Sequence, residues 1–313
     1  MPSGLNFKQI IPKILIFMQD LVPAIYEVLK ELYFKSIFYR LKHVKESKYS
    51  WLKSVQLEIL DSQYGILTHG NLKFILEKKR FDTIPSHQKY LYSALIPFLN
   101  LPSFYLLFWD DLVVFHEIFI EDLYKLGEFP IKPGDIVLDV GASIGWYACK
   151  VAKMAGDNGK VIAIEPNPTN FALLNKNVNL NELNNTILIN KGIWDTQVKK
   201  MLKLKGYASS IGDDLKMQSG ELVQFDTIDK ILKEHNIKKV NELKMDIEGA
   251  EIEAIKGSQE ILKRSNNLIL KIAAYHKMNS GAFTYEKLIP LLKKWHYDVR
   301  EEYLPIIFGK KTT

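Results

Sequence analysis

The chain has 313 residues, 47% of them hydrophobic, which is enough to bury one large core and excludes a disordered or fibrous protein. The formal net charge is +6, and residues 1–50 hold eight Lys and Arg against four Asp and Glu, so most of the excess lies there. The remainder is nearly balanced and lacks the even basic stripe typical of nucleic-acid-binding proteins. A single cysteine, Cys149, excludes an internal disulfide and favours a reducing, cytoplasmic setting.

Residues 1–50 are predicted to form an amphipathic helical segment that Pro12 and Pro23 divide. Charged residues interrupt its apolar stretches before they reach the roughly 18 residues of a membrane span, and no signal-peptide core is visible. We therefore expect these basic helices to pack on the protein. Contact with a partner or with a membrane surface is the alternative.

Residues 51–119 are predicted to be a mixed α/β lead-in with hairpins. One hairpin is expected around Gly70-Asn71, where short β-like runs flank a turn. A second is expected around Asp110-Asp111, pairing residues 103–109 with 112–119.

From residue 120 to 313 strand and helix patterns alternate, which predicts a mostly parallel, doubly wound α/β sheet with helices on both faces. The terminal hairpin is expected to add an antiparallel edge. An insertion near residues 201–211 is expected over the carboxyl ends of the sheet, where such folds bind ligands. The strand candidates are 135–140, 161–165, 186–190, 242–246, 268–273, 296–303 and 305–310, and the helix candidates are 146–155, 168–180, 226–235, 249–264 and 282–294.

The first strand of this domain runs into a small-residue turn, Asp139-x-Gly141-x-x-x-Gly145, followed by a helix. Small residues allow backbone N–H groups to approach a ligand closely at a helix start. The turn lacks the GxGxxG of dinucleotide enzymes, so a ligand without a pyrophosphate fits better. Glu165 at the tip of the next strand is placed to accept hydrogen bonds from ribose hydroxyls, which indicates a nucleoside.

A third signal is the segment Leu243–Glu251, LKMDIEGAE. Asp246 is expected at the tip of the fourth strand, beside the point where the strand order reverses, and we interpret it as functional. Glu248 and Glu251 open the next helix; ordinary helix capping is the favoured interpretation for Glu251 and the alternative interpretation for Glu248.

Taken in order, five segments resemble the FkbM-type methyltransferases: Asp139–Trp146, Glu165–Phe171, Gly206–Ser210, Phe225–Asp229 and Lys244–Glu251. The resemblance covers roughly residues 115–310. It implies a class I methyltransferase fold, with a seven-stranded sheet whose last strand is antiparallel, and S-adenosylmethionine as cofactor. It also implies O-methylation of a hydroxyl on a sugar or other small-molecule or glycan acceptor.

The resemblance also implies the site residues. The cofactor would contact Asp139, Gly141, Ala142, Ser143 and Gly145 along its methionine part, Glu165, Pro166 and Asn167 at the ribose, and Gly192, Ile193 and Asp195 near the adenine. The substrate would contact Ser209, Ser210, Lys244 and Tyr275. The sequence departs from the family after the fifth strand, where members often carry an acidic residue and this chain has Lys271, Tyr275 and His276.

The expected mechanism is in-line attack of an acceptor oxygen on the sulfonium methyl group, in which alignment supplies most of the acceleration. Asp246 is the first candidate for the base that removes the hydroxyl proton, with Glu248 and His276 next, although a lone histidine is as often structural. No metal is expected, because Ala273-Ala274 at the fifth strand tip offers Asp246 no partner ligand. A dinucleotide oxidoreductase, an RNA methyltransferase and a non-catalytic binding protein remain as rival functions.

Overall fold

The computed structural model describes residues 55–59, 64–77, 114–205, 208–211, 220–278, 281–301 and 306–311. It divides into two compact units, Met1–His116 and Glu117–Thr313. The helical segment predicted for residues 1–50 and the strand predicted for residues 103–109 lie outside the described residues, and the three-part domain division stays a prediction. Among the described helices, none has the length and apolarity that crossing a bilayer requires.

The described strands of the first unit form a three-stranded antiparallel sheet. Its strands β1 (Val55–Ile59), β2 (Tyr64–His69) and β3 (Leu72–Glu77) pair in that order. The turn between β2 and β3 is formed by Gly70-Asn71, with Gly70 in the left-handed region that such hairpins need. The first predicted hairpin is therefore confirmed.

The strand predicted for residues 112–119 is wrong where the structure describes it. Residues from 114 onward are helical and include a π-helical turn, His116–Ile120. The apolar residues Val114, Phe115, Ile118 and Phe119 follow helical spacing, with Phe115 and Ile118 buried, whereas a strand would alternate.

The remaining elements belong to the second unit, and their bounds in chain order are as follows. They are β4 (Ile136–Val140), α1 (Trp146–Ala155), β5 (Lys160–Ile164), α2 (Pro168–Leu180), β6 (Thr186–Ile189), β7 (Gly192–Ile193), β8 (Val198–Lys205), β9 (Ala208–Ile211), β10 (Glu221–Asp226), α3 (Ile228–Glu234), β11 (Glu242–Met245), α4 (Glu251–Lys256), α5 (Gln259–Arg264), β12 (Ile269–Ala273), α6 (Thr284–Lys294), β13 (Tyr297–Glu301) and β14 (Ile306–Lys311).

Seven of these strands form the main sheet, in the order β13-β14-β12-β11-β4-β5-β6. Neighbouring strands from β12 to β6 are parallel, and β14 is antiparallel to both of its neighbours. This arrangement confirms the predicted class I methyltransferase fold. The last strand does not simply extend the edge, because β14 inserts between β12 and β13 and leaves β13 outermost.

A second sheet, in the order β7-β10-β8-β9, fills the insertion between β6 and β11. Strands β8 and β9 match the pair expected near residues 201–211, whereas β7 and β10 were not predicted. The helix predicted for residues 226–235 begins at Ile228, because the Thr227 hydroxyl oxygen accepts the N–H of Lys230 and caps it. The helix predicted for 249–264 is interrupted at Gly257-Ser258 and forms α4 and α5.

The two faces of the main sheet are chemically different. Successive strand residues point to opposite faces, and one face is apolar, with residues such as Leu138, Val140 and Met245 packed in a cluster with α3–α6. On the other face, β4, β11 and β12 bury charged side chains: Asp139, Glu242, Lys244 and Lys271. The strand order reverses between β4 and β11. Open α/β sheets bind their ligands at the carboxyl ends of the strands on either side of such a reversal.

Candidate active site

The loop after β4 packs directly against the residue that follows β11. Gly141 has a φ of 80°, and a Cβ atom there would overlap the backbone carbonyl oxygen of Asp246. The N–H of Asp246 donates to the carbonyl of Val140 at 2.9 Å. Only glycine fits this position, and its presence brings the loop and Asp246 together at one edge of the sheet.

The N–H groups of this loop bind the neighbouring strand. Gly141 and Ala142 both donate to the carbonyl of Ile164, at 2.9 and 3.0 Å, and Ser143 donates to Glu165 Oε2 at 2.8 Å. Gly145 donates to the carbonyl of Ala142 at 2.9 Å and immediately precedes α1. The loop is therefore fixed to β5 by its own donors.

Glu165 is a buried carboxylate at the tip of β5. Its two oxygens accept one backbone N–H each, Oε2 from Ser143 and Oε1 from Asn167 at 2.9 Å. Burial raises the pKa of Glu165 to about 7, although these two N–H groups favour the charged form. Because a carboxylate oxygen has two acceptor positions, each one keeps a position for a further donor such as a ribose hydroxyl.

The residues around Glu165 hold it in place. Pro166 leads to Asn167, whose side chain accepts the N–H of Thr169 at 2.9 Å and caps α2. From the end of β6, the amide of Asn190 donates to the backbone carbonyl of Glu165 at 2.8 Å. The sequence analysis did not identify Asn190, since only pairing of β5 with β6 brings it there.

A buried ion pair lies behind the loop. Lys244 Nζ is 3.1 Å from Asp139 Oδ1 and donates to the carbonyl of Gly141 at 2.8 Å. Burial raises the pKa of Asp139, and the Lys244 ammonium opposes that shift. The structure thus places both predicted site residues inside the protein, where they brace the loop; their contacts with cofactor and substrate stay predictions.

Asp246 is partly exposed, with 26% of its side chain accessible. Its Oδ2 accepts the hydroxyl of Tyr124 at 3.0 Å, and Tyr124 is buried. Burial and the Asp246 charge raise the pKa of Tyr124, and the Asp246 charge followed by burial raises the pKa of Tyr275. Both phenols are therefore neutral, and Tyr124 is the one that donates to Asp246. Tyr124 was not predicted, because it precedes β4 by a loop without a sequence motif.

His276 follows β12 and lies beside Asp246, since β11 and β12 are neighbours. Its ring is only 8% exposed, with Nδ1 2.7 Å from Glu251 Oε1. Nε2 lies 3.5 Å from Asp246 Oδ1 and 3.8 Å from Glu248 Oε2. Burial lowers the pKa of His276, but the hydrogen bond with Glu251 and the surrounding carboxylates outweigh burial and raise it to about 9.

These contacts contradict the expectation that Asp246 has no partner ligand at the tip of the fifth strand. Asp246 does have partners near the fifth strand, because His276 lies three residues beyond Ala273 and turns back to the tip of β11. All three candidate bases are thus brought together by the ends of two adjacent strands and the loop between β11 and α4.

Glu251 does more than cap a helix. It is fully buried, and its Oε1 accepts the N–H groups of Ile247 at 3.3 Å and Gly249 at 3.2 Å. It thereby closes the loop that carries Glu248, whose φ of 55° is unusual for a residue with a side chain. The same oxygen orients His276.

Glu117, in the π-helical turn, is a further carboxylate of this site. Burial, followed by the charges of Asp246 and Glu121, raises its pKa to about 7. The helical spacing of residues 114–119 could have indicated that Glu117 lies on a helix. The π-helical turn is a further indication, because such turns often occur at functional sites.

The other predicted residues lie in the insertion. Gly192 and Ile193 form β7, where the Gly192 backbone packs against the ring of Phe225, and Asp195 follows next to Gly257. Ser209 and Ser210 belong to β9, paired with Leu204 and Lys203. Their roles toward the cofactor and the substrate stay predictions.

Comparison with known proteins agrees with this geometry. Residues 139–299, just over half of the chain, match the family described as methyltransferase FkbM domain. The chain is 25% identical over 154 residues to the hexuronic acid methyltransferase AglP of Haloferax volcanii, covering 49% of this chain and 62% of that protein. It is 24% identical over 163 residues to methyltransferase 1 of Beauveria bassiana, covering 45% and 64%.

A shorter match, 30% identical over 76 residues, links the chain to ribosomal RNA large subunit methyltransferase E of Bdellovibrio bacteriovorus, covering 24% of this chain and 34% of that protein. The chain thus spans less than two thirds of the length of each relative. The matched region begins at Asp139 and contains the glycine loop, Glu165, Asp246 and His276. With the strand order of the main sheet, this match establishes that the chain belongs to the methyltransferase FkbM domain family.

Proposed function

We propose that the protein transfers the methyl group of S-adenosylmethionine to a hydroxyl of a sugar or glycan. The observation that carries this proposal is the convergence of three features at the carboxyl ends of adjacent strands. These are the glycine loop after β4, Glu165 after β5 and Asp246 after β11.

The residues at the first two strand tips fit the nucleoside part of the donor. Glu165 is held by Ser143 and Asn167 with one acceptor position open on each oxygen, as a ribose diol requires. When bound, S-adenosylmethionine supplies a methyl group already activated by the sulfonium charge. The contribution of the protein is then to align donor and acceptor and to exclude water.

The acceptor would lie against Asp246, Glu248 and His276. A general base must be within hydrogen-bond reach of the hydroxyl whose proton it removes. The Asp246 carboxylate is partly exposed and oriented by Tyr124, and the backbone of Asp246 packs against the loop at Gly141. Asp246 is therefore the first candidate for that base. Burial and then the charge of Asp246 raise the pKa of Glu117 to about 7, which makes Glu117 a candidate to receive the proton afterwards.

The kinship with AglP supports a sugar acceptor, because that protein is named for a hexuronic acid. The short match to a ribosomal RNA methyltransferase keeps RNA as the second acceptor class to be tested.

The donor is tested by calorimetric titration with S-adenosylhomocysteine and, separately, with NADH. We expect S-adenosylhomocysteine to bind and NADH not to bind. Glu165→Ala should abolish binding, whereas Glu182→Ala, an exposed acid outside the site, should leave it unchanged. Tight NADH binding without S-adenosylhomocysteine binding would show a dinucleotide enzyme instead.

The acceptor is tested by incubating the enzyme with S-adenosylmethionine and a panel of hexosides, hexuronosides and RNA, with mass spectrometry of the products. Methylation of a saccharide and not of RNA is expected. Asp246→Asn should lower kcat by roughly 10²–10⁴-fold while the affinity for S-adenosylhomocysteine stays the same. Methylation of RNA alone would replace the proposed acceptor.

A further inference from the structure

The side chains of Asp246, Glu248 and His276 converge in a way that general-base chemistry does not require. One donor atom from each residue lies within 4.8 Å of the other two. His276 is more than nine-tenths buried and directs Nε2 at both carboxylates. Within the described part of the chain, that nitrogen has no hydrogen-bond partner.

We propose that Asp246, Glu248 and His276 bind a divalent transition-metal ion. The further role of this ion, to hold the acceptor oxygen, rests on the methyltransferase function proposed above. Binding of the ion itself does not depend on that function.

The spacing of the three groups suits a shared ion. Bonds from a divalent ion to carboxylate oxygen or imidazole nitrogen are about 2.0–2.2 Å, so two ligand atoms are at most about 4.4 Å apart. The distances from Nε2 of His276 to Asp246 Oδ1, 3.5 Å, and to Glu248 Oε2, 3.8 Å, fall within that limit. A small rotation of the exposed Glu248 side chain would bring its oxygen within the same limit of the Asp246 oxygen, so that all three atoms could bind one ion.

The surrounding contacts leave the right atoms for an ion. Glu251 accepts from Nδ1 of His276, so Nδ1 carries the hydrogen of that bond and Nε2 is the nitrogen available to a metal. Tyr124 donates to Oδ2 of Asp246, which leaves Oδ1, the oxygen nearer to His276, for the same ion. Orientation of histidine and carboxylate ligands by such second partners is a general feature of metal sites.

The competing explanation is an ion cluster in which a protonated His276 pairs with the two carboxylates. A charge-assisted hydrogen bond from Nε2 would be about 2.7–2.9 Å long. Both carboxylates lie well beyond that distance, so neither forms such a bond. The spacing therefore fits ligands around an ion better than a directly hydrogen-bonded cluster.

The donor set indicates which ions would bind. One imidazole nitrogen with two carboxylate oxygens suits Mn²⁺, Fe²⁺, Co²⁺ or Zn²⁺, whereas Mg²⁺ and Ca²⁺ prefer oxygen ligands alone. The 26% exposure of Asp246 and 39% exposure of Glu248 leave room for water or an acceptor oxygen at the remaining coordination positions. An ion at this site would favour the deprotonated form of the acceptor hydroxyl bound to it.

The experiment uses the full chain after treatment with a chelator. Mn²⁺ is titrated and followed by electron paramagnetic resonance of the free ion, and Zn²⁺ by calorimetry, both without S-adenosylmethionine. We expect one ion per chain. Glu248→Gln and His276→Ala should each weaken binding by more than the roughly 10–100-fold typical of losing an outer partner, and Glu251→Gln should weaken it within that range. Glu253→Gln changes a partly exposed acid of α4 outside the cluster; it is the matched control and should bind as the parent does.

Binding of S-adenosylhomocysteine to the same samples separates the two proposals. If S-adenosylhomocysteine binds but no Mn²⁺ or Zn²⁺ does, or if Glu248→Gln binds the ion as tightly as the parent, the metal site is refuted and the methyltransferase proposal stands. If the parent protein binds the ion, Glu248→Gln does not, and S-adenosylhomocysteine does not bind, the metal site stands and the methyltransferase proposal is refuted. Because Glu248 is exposed, Glu248→Gln decides the outcome even if His276→Ala does not fold.

Discussion

The fold changes the acid–base chemistry of Glu165, the carboxylate at the tip of β5. Its pKa rises from an ordinary 4.5 to about 7 because the tip of β5 is buried. Since the folded-state pKa is above the unfolded one, the folded protein holds this proton more tightly. The resulting contribution to stability is present below about pH 4.5 and is lost as the pH rises through about 7.

The same shift predicts how cofactor binding depends on pH. Ribose hydroxyls donate best to the ionised carboxylate, so S-adenosylhomocysteine should bind more weakly below about pH 7, by up to roughly tenfold per pH unit. Calorimetry between about pH 5.5 and 8 measures this dependence. Glu165→Gln, which cannot ionise, should bind weakly with a flat profile. An equally steep profile in Glu165→Gln would assign the titration to another group.

Gly141 shows how a single backbone position allows the glycine loop after β4 to pack against Asp246. An alanine there would combine a φ of 80° with overlap of its methyl group and the Asp246 carbonyl. Gly134 offers a matched control, since its φ is 88° but nothing lies within 4 Å of an added Cβ. Gly134→Ala should cost only the strain of the left-handed region, about 1–2 kcal/mol.

Gly141→Ala should cost about 1–3 kcal/mol more than Gly134→Ala, because the loop must also move away from β11. Urea unfolding of both variants gives the difference. Gly141→Ala should in addition bind S-adenosylhomocysteine more weakly than Gly134→Ala. Equal stability and affinity in the two variants would mean that the loop tolerates displacement from Asp246.

At the scale of elements, charged pairs connect the strands on one face of the main sheet. Lys271 Nζ of β12 lies 2.7 Å from Glu242 Oε2 of β11, and Tyr147 of α1 donates its hydroxyl to Glu242 Oε1. All three side chains are buried. The group joins two strands and a helix that are distant in sequence.

Removing one charge of the Glu242–Lys271 pair should lower the free energy of unfolding strongly, whereas replacing both charges with apolar side chains should lower it much less. Lys271→Met leaves Glu242 buried without its cation and should destabilise the protein by about 3–5 kcal/mol. The double variant Glu242→Leu with Lys271→Met should lose much less than the sum of the two single changes. Urea unfolding of the four proteins gives the coupling energy, and strict additivity would contradict the pairing.

These elements also show what the sequence could predict. The parallel strands were recognised because apolar residues dominate them, and Glu165 and Asp246 were located because they directly follow such strands. Lys271 looked like a departure from the family, because its partner Glu242 becomes visible only when β11 and β12 are paired. Tyr124 and Glu117 were not predicted for the same reason, and Glu251 was interpreted only as a helix cap, since their contacts join segments far apart in the chain.

The errors have local causes. The many apolar residues of 112–119, among them Val114 and two Phe, predict a strand, although the apolar residues of 114–119 have helical spacing. Strand β7 has two residues and is too short to leave a pattern. The terminal hairpin does form the predicted antiparallel edge, but the placing of β14 next to β12, with β13 outermost, was not predicted, because this pairing is not encoded in the local pattern.

At the scale of the whole molecule, the strand order decides where function is placed. Reversal of the order between β4 and β11 leaves their carboxyl ends side by side, with β5 and β12 next on either side. The glycine loop after β4 and Glu165 therefore lie on one side of the reversal. The cluster of Asp246, Glu248 and His276 lies on the other, so the proposed methyl donor and acceptor would meet at the reversal.

The same order predicts which part of the sheet opens last. Strand β14 is hydrogen-bonded on both sides, and Ile306, Ile307 and Phe308 are buried, whereas β13 is outermost and mostly exposed. Hydrogen exchange followed by mass spectrometry should show residues 306–311 exchanging as slowly as β12. Residues 297–301 should exchange roughly tenfold faster or more, because an edge strand can separate without opening the core. Exchange of β14 as fast as β13 would mean that the terminal hairpin opens as one unit, so that the chain's last strand adds little to the stability of the site.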